Sequence, residues 1–418
     1  MQSLEQQLNN LPKTGVMIYE GESCAVSELL KKAGEIRQQN PQLRQRDIAI
    51  GYTNLAEFVT ALIAFDGWCS AIYLCPPKVP TPQKELIKWP LSADVVVDNS
   101  IRKPLDPISS DVLQTTWYMA TSGTTGQPKW FAHSFSSLSI STKHSQKLQA
   151  LCWALLYQPF RFAGLQVVLQ ALLSCADLVD AADYEPLALM ARLKHHKVTA
   201  ISATPSLWRQ LLMTGQLAET NLKHITLGGE IADQSVLAKL SRLFPKAKLR
   251  HIYASTETGV GLVVSDGLAG FPAQWLGDSS LPVVLKVSDK QHLLVKPSFH
   301  VCHSLTAQTD KQGYVDTQDT VEIKDNRVLF MGRSTGTINV GGNKVHPEKV
   351  EQVLLQCPDI NQAKVYAKKS ALMGALVVAD ITIIDNDDQQ QVKQQVLKIC
   401  KNQLQRFEIP TKINVVND

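Results

Sequence analysis

Apolar and polar positions recur along this chain in two rhythms. Leu29, Leu30 and Ala33 share one face of residues 26–38 at the spacing of an amphipathic helix. Phe58, Leu62 and Phe65 do the same over residues 55–68, and Leu237, Leu240 and Phe244 over residues 235–244. Between such segments lie short apolar runs at 46–51, 71–75, 116–120, 198–202, 221–227 and 249–253, bounded by polar residues, glycine or proline. Runs of that length and setting predict buried strands. The order strand, helix, strand predicts an α/β layer architecture. Residues 93–98 read as a further strand and 99–110 as a linker. Residues 134–155 read as a helix, broken by Pro159 to Gly164, and the apolar run 165–175 as a buried helix. Residues 206–212 are helical in pattern. His195 and His196 are adjacent and face different ways, so a helix C-terminal end accounts for them better than a metal pair.

The rhythm changes in the last quarter. Residues 321–324 and 327–330 read as a hairpin around the polar pair Asp325 and Asn326. Gly332, Arg333, Ser334, Thr335 and Gly336 read as a hinge or as a plain loop. A helix starts after His346, with Pro347 and Glu348 in its first turn. Strands near 365–366 and 376–378 and an amphipathic helix over 390–404 follow. The pattern predicts an N-terminal domain, 1–332, built of mixed α/β subdomains, and a small α+β C-terminal domain, 333–418.

Composition narrows the function classes. A chain of 418 residues is long enough for two or more domains. With 44% hydrophobic and 19% charged residues it has an ordinary soluble balance, and no apolar stretch reads as a membrane span. A net charge of +4 without a concentrated basic patch argues against nucleic acid as a partner. The eight cysteines form no CxxC pair, which argues against a zinc knuckle and fits buried thiols in a reducing compartment. Early acid and no basic segment at the N-terminus read as no secretory signal and a cytoplasmic location. Oligomeric state leaves no mark in the sequence.

Candidate chemistry centres on Thr121, Ser122, Gly123, Thr124, Thr125, Gly126, Gln127, Pro128 and Lys129, just past the 116–120 strand. Glycines allow the backbone close to a ligand, successive N–H groups and hydroxyls form an anion cradle, and Lys129 supplies a flexible positive charge. A Ser/Thr/Gly surface turn is the alternative. The spacing is not that of a Walker A loop, because Gln127 and Pro128 separate Gly126 from Lys129 and Trp130 follows the lysine. Gly228, Gly229 and Glu230 close the 221–227 strand, as a site for a flat ligand against the backbone or as a plain turn. Thr256 and Glu257 place a hydroxyl beside a carboxylate at a strand end, which suits phosphate with Mg²⁺ or an ordinary turn.

The 121–129 loop resembles the phosphate-binding signature of the adenylate-forming superfamily of acyl/aryl-CoA synthetases, adenylation domains and luciferases. The resemblance continues in order: Gly228-Gly229-Glu230; Tyr253-Ala254-Ser255-Thr256-Glu257, with Ala254 at a usual glycine; Gly313 to Asp319, with Gln318 at another; Gly332-Arg333; and Gly341 to Glu348. It implies ATP and Mg²⁺ as cofactors, and a carboxylic acid activated as an acyl-adenylate. It implies CoA or an acyl-carrier protein as the thiol acceptor. It assigns Thr121, Ser122, Gly123, Thr124, Thr125, Gly126 and Lys129 to the β/γ-phosphates, Thr256 to the α-phosphate and Glu257 to Mg²⁺. Gly229, Glu230 and Tyr253 would line the adenine pocket, and Asp319 with Arg333 would meet the ribose. It implies a mobile C-terminal domain hinged at Thr335.

Two departures stand beside the resemblance. The segment Arg406 to Ile413 resembles the stretch before the family's Pro-x-x-x-x-Gly-Lys motif, and the sequence ends before such a lysine. Truncation, weak adenylation and replacement by another lysine are the alternatives. Arg161, with Phe162, Gly164 and Gly228 in the expected acid pocket, stands where many members have histidine. Its guanidinium fork suits an anionic substrate group, the phosphates or a structural pair. No aspartate for an amino group is found at the matching place, so an aryl or aliphatic acid is favoured. The leading expectation is an AMP-forming acid–thiol ligase acting on an aryl or aliphatic acid, and the compact N-terminal region resembles that of the short aryl-acid ligases. The alternatives are a luciferase-like oxygenase and an adenylate-binding or carrier-docking protein.

Overall fold

The computed structural model describes residues 2–12, 15–76, 86–90, 113–121, 129–256, 259–297, 309–340, 343–370, 374–383 and 389–416. The expected strand at 93–98 and linker at 99–110 lie outside the described residues. The architecture is the expected one: a large mixed α/β part followed by a smaller α+β part.

Two mostly parallel sheets form the large part. The first orders its strands Gly259–Val264, Lys248–Ser255, His224–Gly228, Ala200–Ala203, Cys152–Leu155, Asp177–Asp180, Val16–Tyr19 and Glu22–Ala25. The six inner strands run parallel and only the two edge strands are antiparallel. The second orders Ile87–Trp89, Asp47–Ile50, Ala71–Leu74, Thr116–Thr121 and Lys129–Ser134, with the last strand antiparallel. The strands Asp47–Ile50, Ala71–Leu74 and Cys152–Leu155 are buried almost throughout, as parallel strands covered on both faces must be. Helices Val26–Gln39, Leu55–Phe65 and Phe162–Ser174 join the two sheets through one apolar core that includes Phe58, Phe65, Trp117 and Leu169.

A third, antiparallel sheet orders Phe271–Pro272, Arg327–Arg333, Val315–Lys324, His292–Pro297 and Val283–Val287. The expected hairpin is present, and Asp325 and Asn326 turn it with positive φ of 48° and 60°. The smaller part has its own core around Val350, Leu354, Ile381, Val396 and Cys400. Its strands Asn343–Val345, Ile338–Val340, Gly374–Ile383 and Ile360–Ser370 pair antiparallel, and Lys412–Val415 adds in parallel beside Gly374–Ile383. Helices Pro347–Leu354 and Gln389–Gln403 cover it.

Two helix expectations need correction. Residues 134–155 are not one helix: they form Phe135–Ser139, Gln146–Gln149 and the strand Cys152–Leu155. Ser134, Ser137 and Ser145 each take a cap or turn hydrogen bond instead of continuing a helix, and Thr142 bonds back to the Ser139 carbonyl. The helix read over 55–68 ends at Phe65, with Asp66 as its C-cap. The reason lies in the tertiary structure. The buried Asp66 carboxylate accepts from the Leu4 N–H at 2.7 Å and from Trp117 Nε1 at 2.8 Å, which ties the N-terminal helix Leu4–Asn9 to the core. His195 and His196 do lie at the C-terminal end of a helix, Pro186–His195.

Burial pushes the Asp66 carboxyl up to about 6, and the two N–H donors offset only part of that. A carboxyl raised in the fold is protonated more readily there than in the unfolded chain. Its contribution is therefore present at low pH and is lost as pH rises through about 6. Asp66→Asn should remove this contribution, which the shift places at about 2–3 kcal/mol. Urea unfolding of both proteins between pH 7 and 4.5 should show the wild-type stability rising relative to the variant as pH falls. Parallel curves would remove Asp66 from the pH response.

Candidate active site

The first sheet builds a crevice at the carboxyl ends of its parallel strands. Strand Cys152–Leu155 has Asp177–Asp180 on one side and Ala200–Ala203 on the other, so the chain reverses its direction of travel across the sheet between them. Side chains beyond the carboxyl ends at such a switch point face an open crevice rather than a crossover helix. Tyr157 follows the first of these strands, and Thr204 and Ser206 follow Ala200–Ala203. Gly228, Gly229 and Glu230 follow Leu227, and Thr256 follows Ser255.

The polar groups there are ordered by one another. Tyr157 Oη donates to the Gly228 carbonyl at 3.1 Å, tying the two sides of the crevice together. Gly229 is exposed with φ of +82°, a conformation that glycine adopts without strain. The Glu230 carboxylate accepts from the Ser206 N–H at 3.0 Å and Oγ at 2.6 Å. It therefore sits at the N-terminus of helix Pro205–Met213, where the helix dipole favours negative charge.

The third sheet closes the same side. Phe330 stacks on Tyr253 with ring centroids 4.9 Å apart and planes at 19°. Tyr253 Oη donates to Asp319 Oδ2 at 2.5 Å, and Arg333 Nε donates to Asp319 Oδ1 at 3.1 Å. Desolvation and the adjacent Asp319 charge push the Tyr253 phenol well above its usual range, so it remains a donor. Both carboxylate oxygens are oriented while keeping lone pairs for further donors. Asp319 is largely covered, and the Arg333 side chain is 60% exposed, leaving its outer nitrogens accessible. Gln318, the neighbour of Asp319, takes a left-handed φ of 59°, the conformation that a glycine there would adopt without strain.

The 121–129 loop belongs to a hairpin. Thr121 and Lys129 pair across antiparallel strands and mark its two ends, and residues 122–128 lie outside the described residues. Ser122, Gly123, Thr124, Thr125 and Gly126 are among these. Arg161 reaches this hairpin: its Nη1 donates to the Ala120 carbonyl at 3.0 Å. That bond goes to the backbone of the strand that leads into the loop. Phe162 faces His133 of the adjoining strand at 6.2 Å. Thr256 is half-buried at a tight connection in which Ser255 pairs with Gly259, and Glu257 lies outside the described residues.

Sequence models for two families match. The AMP-binding enzyme model covers residues 10–291, and the AMP-binding enzyme C-terminal domain model covers residues 349–418. The chain belongs to the AMP-binding enzyme family. It is 26% identical over 306 residues to a putative long chain fatty acid-CoA ligase VraA of Staphylococcus epidermidis. It is 24% identical over 325 residues to a 2-succinylbenzoate–CoA ligase of Listeria innocua. These matches take in 71% and 73% of this chain, and 66% and 67% of the relatives' own length. Solved structures share the fold. The amide bond synthetase McbA from Marinactinospora thermotolerans has a TM-score of 0.71 at 15% identity, over 99% of this chain and 95% of that one. The o-succinylbenzoate CoA synthetase MenE from Bacillus subtilis, in complex with its acyl-adenylate intermediate, has a TM-score of 0.68 at 19% identity, over 100% and 96%.

This family member carries site features that its sequence alone did not reveal. Tyr157, Ser206 and Phe330 stand in no motif, yet they position Gly228, Glu230 and Tyr253. The only signal for Tyr157 and Ser206 was position just beyond strand ends, and Phe330 lies within the strand Arg327–Arg333 with no such signal. Gly164 is buried in the first turn of helix Phe162–Ser174, where a Cβ would lie 2.2 Å from the Gln158 carbonyl oxygen. Its visible role is close packing of that turn. Gly164→Ala should cost about 1–3 kcal/mol by overpacking. A urea midpoint equal to that of the wild type would show that the turn relaxes freely.

Proposed function

We propose that this chain is an AMP-forming acid–thiol ligase. It joins ATP to an aryl or aliphatic carboxylic acid as an acyl-adenylate and passes the acyl group to CoA or to a carrier-protein thiol. The observation that carries the reading is the clamp of Tyr253, Asp319 and Arg333 beside the Gly228-Gly229 step, where strands His224–Gly228 and Lys248–Ser255 pair in parallel. An exposed glycine step suits a flat base lying against the backbone, and an oriented carboxylate suits the paired hydroxyls of a ribose.

In the proposed chemistry the acid's carboxylate oxygen attacks the α-phosphorus and the bond to the β-phosphate oxygen breaks, releasing pyrophosphate. The thiol then attacks the acyl carbonyl, AMP leaves, and the thiol proton passes to solvent. AMP is a far better leaving group than oxide, so the protein's task is alignment and charge neutralisation rather than covalent catalysis. Thr121 and Lys129, at the two ends of the hairpin loop, would hold the β/γ-phosphates with Ser122, Gly123, Thr124, Thr125 and Gly126. Thr256 would meet the α-phosphate. Gly229, Glu230 and Tyr253 would line the adenine side, and Asp319 and Arg333 the ribose. Mg²⁺, which neutralises phosphate charge when bound, would be held by Glu257. With the Glu230 carboxylate engaged by Ser206, that residue would shape the pocket more than bind within it. Arg161 would brace the loop through Ala120. The domain boundary would fall after Gly332, ahead of the separate core of the smaller part.

Among the described residues no helix is long and apolar enough to cross a membrane. The bound acyl-adenylate named for MenE and the acids named for the two curated relatives guide the choice of substrates. Pyrophosphate release should appear with ATP, Mg²⁺ and one member of a panel of aryl and fatty acids, and acyl-CoA should form when CoA is added. Silence across the panel would remove the ligase reading. Asp319→Ala should raise the KM for ATP at least tenfold, and Tyr253→Phe should raise it less because Arg333 still orients the carboxylate. Unchanged kinetics in both variants would remove the clamp from nucleotide binding.

A further inference from the structure

A second cleft, of about 460 Å³, opens between the large and small parts and is lined by none of the residues assigned to the nucleotide. Helices Pro205–Met213 and Gln234–Leu243 form one wall, and Leu355 and Ile360 of the small part form the other. Its charged lining is entirely cationic: Arg209, Lys239 and Arg242. Arg209 is compensated, because it pairs with Asp233, the N-cap of the second helix, and Glu351 lies near enough to feel its charge. Lys239 and Arg242 stand one turn apart on the exposed side of the same helix, and neither forms an ion pair among the described residues. Leu243 and its neighbours supply an apolar floor beneath them.

We propose that this cleft is a binding site for a small organic anion with an apolar body, held between the two parts of the chain. The charge assignment follows from two uncompensated cations at the mouth of a pocket whose described lining has no carboxylate. The apolar assignment follows from the partly exposed Leu212, Met213 and Leu243, which a fully hydrated ion such as inorganic phosphate would leave uncovered. The volume is that of a small-molecule site. A ligand here touches both parts at once, so its binding energy favours the arrangement in which they face each other. The site depends on no step of the ligase reaction, and its test needs no turnover.

The probe is 8-anilinonaphthalene-1-sulfonate, an aromatic sulfonate, titrated by fluorescence into the full chain with saturating ATP present to keep the nucleotide site filled. Its uncharged counterpart, N-phenyl-1-naphthylamine, is the control. One saturable site is expected for the sulfonate, with at least tenfold weaker binding in Lys239→Glu/Arg242→Glu and in the cleft-filling Met213→Trp. The control should bind the wild type and the charge-reversed variant alike. Matching thermal midpoints for the variants would keep misfolding out of the comparison, and the exposure of Lys239 and Arg242 favours that match for the charge reversal. Absence of a saturable site, or sulfonate affinity unchanged by the charge reversal, would overturn the proposal.

Discussion

The Asp319 carboxylate joins two sheets that otherwise meet through apolar packing. Tyr253 comes from a strand of the eight-stranded sheet, while Asp319 and Arg333 come from neighbouring strands of the antiparallel sheet. The phenol and the guanidinium each take one carboxylate oxygen, and the stack of Tyr253 on Phe330 sets the distance. A charge so nearly covered is tolerable only with such donors. The geometry around Tyr253 and Arg333 therefore rests on a satisfied anion. The strand pairing that puts Asp319 opposite Arg333 makes the arrangement rigid.

The same logic of pinned ends recurs elsewhere. Arg161 bonds the carbonyl just before the hairpin loop, and Lys129 pairs across from Thr121, so both feet of that loop stand on ordered strands. Tyr157 bridges to Gly228 across the crevice, and Glu230 fastens the start of the adjacent helix. Asp66 does for the N-terminus what Asp319 does for the site, holding a distant backbone N–H and the Trp117 indole within the core. In each case a polar group is ordered by strand ends of the scaffold, and the loops that face a ligand are attached to it. Catalysis by alignment requires that rigidity, since misplacement of the reacting groups forfeits the advantage of holding them together.

Legibility in the sequence followed how local each cause is. The helices at 26–39 and 234–243 carry their own periodicity and were readable to within a residue or two. Buried strands such as Ala71–Leu74 were readable because an apolar run bounded by prolines has few other fates. The serine-rich stretch after His133 misled, because a helical hydrophobic pattern says nothing of side chains that bond their own backbone. Lys129–Ser134 was read only as the end of a loop, since an antiparallel return strand is defined by its partner.

By itself the sequence determined the family, through glycine, hydroxyl and acid residues at spacings that backbone sterics and phosphate chemistry demand. It also determined the division into a large α/β part and a small α+β part, through the change in hydrophobic rhythm. Only the tertiary structure decided which of those residues meet. Tyr253 and Asp319 are 66 positions apart and Arg161 and Ala120 are 41 apart, and no local pattern encodes such contacts. They arise because parallel strands end on one side of a sheet, and because packing the sheets together leaves each buried polar group one set of partners within reach.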